Sequence, residues 1–307
     1  MNIYKDFVGH LPRKKLLIWA VPLLLVVGTE ITTTALIPYS RKLVMDSLVE
    51  LNWHSFVICI GLSFLNYAFL SGAQGVKTWL SGKVSFLGRK ALMETVKDHW
   101  VARDGTTTVS NPDARLNDDS RIATEMGLQV TRELFISAII VVSLITTIIK
   151  WPILLIAAIA YSTISILLAS LFKNPMTRAK YNLSDSEGRH RLSLSKIYLK
   201  QNDQTSADRW VDLETAYHRY IDTNRNYTLF NALQTALMIT VPFLIMAPDL
   251  FAGKVTLGDV TQGTLTFDLL VINAAIWVNM YPIVIEARTA LIRVKEFYNE
   301  IHCKESE

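Results

Sequence analysis

Apolar residues gather along this chain in long runs, and polar residues fill the stretches between them. Six runs approach or exceed the roughly 20 residues that a helix needs to cross a hydrocarbon core of about 30 Å. The first is Leu16 to Tyr39, LLIWAVPLLLVVGTEITTTALIPY. The others span about 56–75, 134–149, 151–172, 229–247 and 257–281. The third and fourth abut across Lys150-Trp151-Pro152, which reads as a tight turn. The pattern predicts an all-α membrane protein with six spans. Arg13-Lys14-Lys15 precede the first run. Its apolar stretch exceeds a signal-peptide core and no small-residue cleavage site follows, so it reads as a retained span.

Two long connections, about 77–132 and 173–228, carry a different pattern. In 77–102 the residues Trp79, Val84, Leu87, Ala91, Leu92, Val96 and Trp100 recur near helical spacing, without proline. In 188–225 Leu192, Leu194, Ile197, Leu199, Trp210, Leu213, Tyr217, Tyr220 and Ile221 do the same. Each connection reads as a helical hairpin that extends the flanking spans. About 25 extra residues at about 1.5 Å each carry such a helix nearly 40 Å beyond the membrane. SNPDARLNDD, residues 110–119, interrupts the first connection. Asn111 suits an N-cap, Pro112 the first helical turn and Asp113 the positive helix end. The segment therefore starts a new helix at or near a hairpin tip.

Charge sets the expected orientation. The N-terminal tail (1–15) holds four Lys and Arg, the two long connections nine and ten, and the region after Tyr281 four. The remaining ends of the spans hold only Arg41, Lys42, Lys150 and Lys254. By the positive-inside rule both termini and both hairpins face the cytoplasm. The domain plan is then a tail 1–15, a transmembrane domain 16–297 and a second tail 298–307. A net charge of +4 over 307 residues conceals this asymmetry. The basic excess suits anionic membrane lipid and does not read as a nucleic-acid surface. Two cysteines, Cys59 and Cys303, frame no disulfide or metal site. The six histidines are scattered and no catalytic constellation is visible, so neither an enzyme nor a cofactor is expected.

QGVKTWLSGKVSFLGRKALMETVKDHWV followed by NPDARLNDDS resembles the membrane domain of SbmA/BacA-like transporters and of peroxisomal-type ABC half-transporters. There a motif near N-P-D-Q-R-I-x-x-D opens the third helix. Asn111, Pro112, Asp113, Arg115 and Asp119 match it, while Ala114 and Leu116 depart. EGRHRLSLSKIYLKQ (187–201) is similar to a second family motif, with His190 where an aromatic is usual. FAGKVTLGDVTQ (251–262) and YPIVIEARTALIRVKEF (281–297) resemble a third and fourth, and 41–56 weakly echoes a fifth. The resemblance implies a type I ABC-exporter-like membrane domain. The chain stops soon after Phe297, and no phosphate-cradling G-x-x-x-x-G-K-[ST] occurs, so no ATPase domain is expected.

What the resemblance implies is an importer of peptides or similar bulky solutes in a bacterial inner membrane. It would be driven by the proton gradient and act as a homodimer. Two alternatives are a permease subunit served by a separate ATPase chain and a receptor or assembly factor that keeps the fold. Proton coupling calls for acids inside the membrane, where a charge is costly unless partnered. Glu30 and Asp268 lie within predicted spans, with Thr29, Thr33 or Thr266 as alternative hydroxyl partners. Glu133 lies nearer the surface beside Arg132, and Glu286 follows the last span where it could gate the cytoplasmic mouth or pair with Arg288. Gln74, Gln234, Gln262, Asn273, Trp277, Asn279 and Tyr281 are candidates for lining a substrate cavity.

Overall fold

The computed structural model describes residues 3–101, 115–198 and 206–303. Apart from short turns these residues are helical, and no strand occurs among them. This is the structure that long apolar runs require. Hydrocarbon offers backbone N–H and C=O groups no partner, and a helix satisfies them within one segment.

A short helix α1 (Ile3–His10) precedes α2 (Arg13–Val49), which turns into α3 (Trp53–Val101). A single π-helical turn, Arg115–Asp119, leads into α4 (Ser120–Ile148). A turn at 149–151 starts α5 (Pro152–Tyr198), followed by α6 (Ser206–Phe251), α7 (Leu257–Asn279) and α8 (Tyr281–Cys303). α2 to α6 each contain a stretch long and apolar enough to cross a bilayer. α7, the sixth expected span, falls short of that hydropathy because Asp259, Asp268 and its glycine, threonine and glutamine residues dilute it. The tight turn expected at Lys150-Trp151-Pro152 is present, and α3, α5 and α6 each run on well past their apolar stretches. Asn111, Pro112 and Asp113 lie outside the described residues, so the cap expected there is not on view.

α2 and α3 form a closely packed hairpin, and α4 joins it against α3. α7 is the hub of the bundle, touching α2, α4, α5 and α6. α5 and α6 pack chiefly on each other and reach the rest mainly through α7. The main core joins Leu23 and Val27 of α2 to Ile140 and Leu144 of α4 and Phe267 and Leu270 of α7. Gly263 permits the hub to sit so close. A Cβ there would lie 2.4 Å from Met246 Sδ and 3.2 Å from Leu154 Cδ2. A second core lies away from the first, where Leu92 and Val96 of α3 meet Val294, Phe297 and Tyr298 of α8 under Ile3 of α1.

Candidate functional site

Glu30 lies midway along α2 and is 6% exposed. The neighbouring threonine hydroxyls go to backbone carbonyls, Thr33 reaching that of Glu30 itself at 3.1 Å, and none meets the Glu30 carboxylate. Thr29 donates its hydroxyl to the Leu25 carbonyl at 3.1 Å, and Thr33 donates to the Thr29 carbonyl at 2.8 Å. Glu30 takes Lys77 instead, with Nζ donating to Oε1 at 2.6 Å. Lys77 is itself 8% exposed, although in sequence it reads as the first base of the hairpin. Helix geometry accounts for the meeting. The α2–α3 turn at Leu51 sets Lys77 about 7 Å from Glu30 in height, and a four-carbon stem spans that difference.

The same ammonium lies 3.6 Å from Glu133 Oε1 on α4. Arg132 holds that oxygen, with Nη2 donating at 2.7 Å and Nε at 3.0 Å. Its other guanidinium nitrogen donates to the Ser81 hydroxyl of α3. Two acids and two bases thus form a closed network among α2, α3 and α4. Such charges persist away from water only when paired and hydrogen-bonded. Glu30 Oε2 is buried without a hydrogen-bond partner. The network brings together two of the four acids named from sequence. Lys77 and Ser81 are additions that apolar periodicity alone does not reveal.

Asp268 stands elsewhere, half-buried on α7, with Oδ1 buried and unpartnered. Tyr161 of α5 donates its hydroxyl to the Gln234 carbonyl of α6 at 2.5 Å. Tyr161, Ser165, Asn231 and Gln234 line a cavity of about 320 Å³ among α5, α6 and α7. Among the other named candidates, Asn273 is half-buried and donates to its own helix at the Leu269 carbonyl, 2.7 Å away. Gln262 is packed inside the bundle at 1% exposure, with Nε2 unpartnered. Gln74 of α3 and Glu286 of α8 are exposed. Trp277 and Asn279 lie in the last turn of α7, and Tyr281 opens α8.

Two further ties involve the quoted motifs. Asp119, which closes the π turn, is buried and meets Arg293 Nη1 of α8 at 3.7 Å. At the α6–α7 turn Thr256 and Asp259 cap α7 reciprocally. The Asp259 N–H donates to the Thr256 hydroxyl at 3.0 Å and the Thr256 N–H to Asp259 Oδ2 at 3.1 Å. α2 grips this cap: Lys42 Nζ donates to Asp259 Oδ1 at 2.5 Å, and Asp46 Oδ1 accepts from the Thr256 hydroxyl at 2.8 Å.

The model of the SbmA/BacA-like family matches residues 53–302. The chain belongs to that family. Membership covers α3 to α8 and so includes Lys77, Glu133, Asp268, the Asp119–Arg293 pair and the Thr256–Asp259 cap, while α2 with Glu30, Lys42 and Asp46 lies before the matched region. The chain is also similar to an "Uncharacterized ABC transporter ATP-binding protein" of Synechocystis sp., 22% identical over 268 residues. That match takes in 81% of this chain and 40% of the relative, so the chain spans less than half of that protein's length. Helices of this length and apolarity, in this family, make the chain a multi-pass membrane protein of a transporter family.

Proposed function

We propose that this chain is a proton-gradient-driven importer of peptides or similar bulky solutes. It acts in the bacterial inner membrane as a homodimer, with α7 as a sixth span and both termini in the cytoplasm. The observation that carries the reading is the Glu30–Lys77–Glu133–Arg132 network, with Glu30 and Lys77 buried and Glu30 Oε2 left without a partner. An intramembrane ionisable group is costly, and a solvated surface charge would do for mere structure. Glu30 is the leading proton carrier, Glu133 its partner in the network, and Asp268 and Glu286 are separate candidates. The cavity of about 320 Å³ lined by Tyr161, Ser165, Asn231 and Gln234 is the space we assign to the solute.

The test is uptake of fluorescently labelled peptides by proteoliposomes under an imposed pH gradient, with no nucleotide present. Glu30→Gln keeps the shape and cannot ionise. The expected outcome is a folded, inserted protein that still binds peptide but no longer accumulates it. Full pH-driven accumulation by Glu30→Gln would reduce Glu30 to a structural acid.

A second reading is a permease subunit working with a separate ATPase chain, and the name of the Synechocystis relative favours it. Uptake that needs ATP and a partner chain, and ignores the pH gradient, would establish it over the first.

A further inference from the structure

Lys77 is shared by carboxylates from two different helices. Its Nζ is 2.6 Å from Glu30 Oε1 on α2 and 3.6 Å from Glu133 Oε1 on α4. The first distance is a charge-assisted hydrogen bond, and the second stops short of one. Around the ammonium, α2 presents Glu30, and α4 presents Glu133 and Arg132. On α3 itself Ser81 takes Arg132, while Lys83 lies over the Trp79 ring, 5.9 Å from its centroid. The two acids and the two bases of the network cancel. A proton arriving at the free Oε2 of Glu30 leaves one positive charge in excess and removes the charge that held Lys77. The nearest remaining carboxylate is Glu133. Lysine suits a transfer between them, since its ammonium is a compact charge on a flexible stem.

We infer that Lys77 is the moving counter-ion of this site: a proton on Glu30 hands its ammonium from α2 to Glu133 on α4. The inference rests on the proton-coupled reading and adds its mechanical step. Only an O–H bond is made, at Glu30 Oε2, and the same bond breaks when the proton departs and Lys77 returns. Proton uptake thereby exchanges a tie inside the α2–α3 hairpin for a tie between α3 and α4. Both pairs of helices already pack together, so the exchange needs side-chain motion first and helix motion second.

The experiment needs protons alone as its probe. Infrared spectra of the full chain reconstituted in lipid vesicles are recorded across pH, and the protonated-carboxyl band is followed. Loss of a band in Glu30→Gln assigns it to Glu30, whereas an unchanged set of bands sinks the proton-carrier reading itself. Given that band, Glu133→Gln deprives Lys77 of its landing place and should move the midpoint to lower pH. Arg132→Gln frees Glu133 to compete for Lys77 and should move it to higher pH. Each shift should be about one pH unit, the tenfold change in proton affinity of a charge-assisted bond. In a Lys77→Met background both shifts should collapse, because the lysine carries them. Shifts that persist there come directly from the charges of Glu133 and Arg132, and overturn the inference while leaving Glu30 as carrier. Should Lys77→Met not fold, the wild-type chain still decides. The carboxylate band lost in Glu133→Gln should change frequency at the Glu30 midpoint if Lys77 arrives there, and hold still if it does not.

Discussion

A methyl group at position 258 would lie 2.2 Å from Asp46 Oδ1. Glycine there lets α2 bring Asp46 against the capped start of α7, where the Thr256 hydroxyl donates to it. In Gly258→Ala the carboxylate must swing away and that hydrogen bond is lost. The expected cost is about 1 kcal/mol, the net worth of one such bond, read as a lower thermal midpoint of the purified protein. An unchanged midpoint would mean that the α2–α7 tie contributes nothing. Asp268 poses the opposite case, since its buried Oδ1 has no partner to lose. Asp268→Asn should therefore leave stability within about 0.5 kcal/mol, the ordinary range where no such feature is broken. If Asp268 couples protons, accumulation falls with stability intact. A marked loss of stability would show it to be held by contacts of its own.

α8 shows how a helix outside the apolar spans is stabilised. Phe297 is fully buried, stacks edge-on against Trp100 at 5.8 Å between centroids, and sits with Tyr298 and Val294 in the second core. Phe297→Ala should cost about 3–5 kcal/mol, the range for deleting a core aromatic ring. Because this core is separate from the main one, limited proteolysis should release α8 from the variant while the spans stay protected. Equal resistance of variant and wild type would contradict a local core. The spans were legible in the sequence because each is a long apolar run with one viable structure. The helical extensions were legible because Val96, Trp100 and their neighbours keep helical spacing. α1 was not foreseen, because eight residues are too few for periodicity to stand out. The break between α7 and α8 had a signal in Pro282, which suits a first helical turn. Glu30 and Asp268 were recognisable as isolated acids in apolar runs. Lys77 was not, because a base at the end of a span reads as surface until the hairpin register places it beside Glu30.

At the scale of the whole molecule, side chains such as Leu25, Phe64, Ile153, Leu171 and Leu244 are more than half exposed. Water would not tolerate so much open apolar surface, so lipid or a second copy covers it. The basic residues then decide which way the bundle lies in the membrane. Each Lys or Arg left at the centre of the membrane costs about 2.5–3.5 kcal/mol, and short loops rich in them stay in the cytoplasm. The segments joining α3 to α4 and α5 to α6 lie within the two basic connections, whereas the α6–α7 turn carries Lys254 alone. With Cys59 and Cys303 replaced by serine, single cysteines report the orientation. One at Ala252, exposed in the α6–α7 turn beside Gly253 with its φ of +70°, should react in intact cells with a membrane-impermeant thiol reagent. Cysteines at Thr107 and Gln204 should react only after the membrane is opened. Ready labelling at Thr107 from outside, with Ala252 silent, would invert the molecule. It would also reverse the direction in which Glu30 loads and releases its proton.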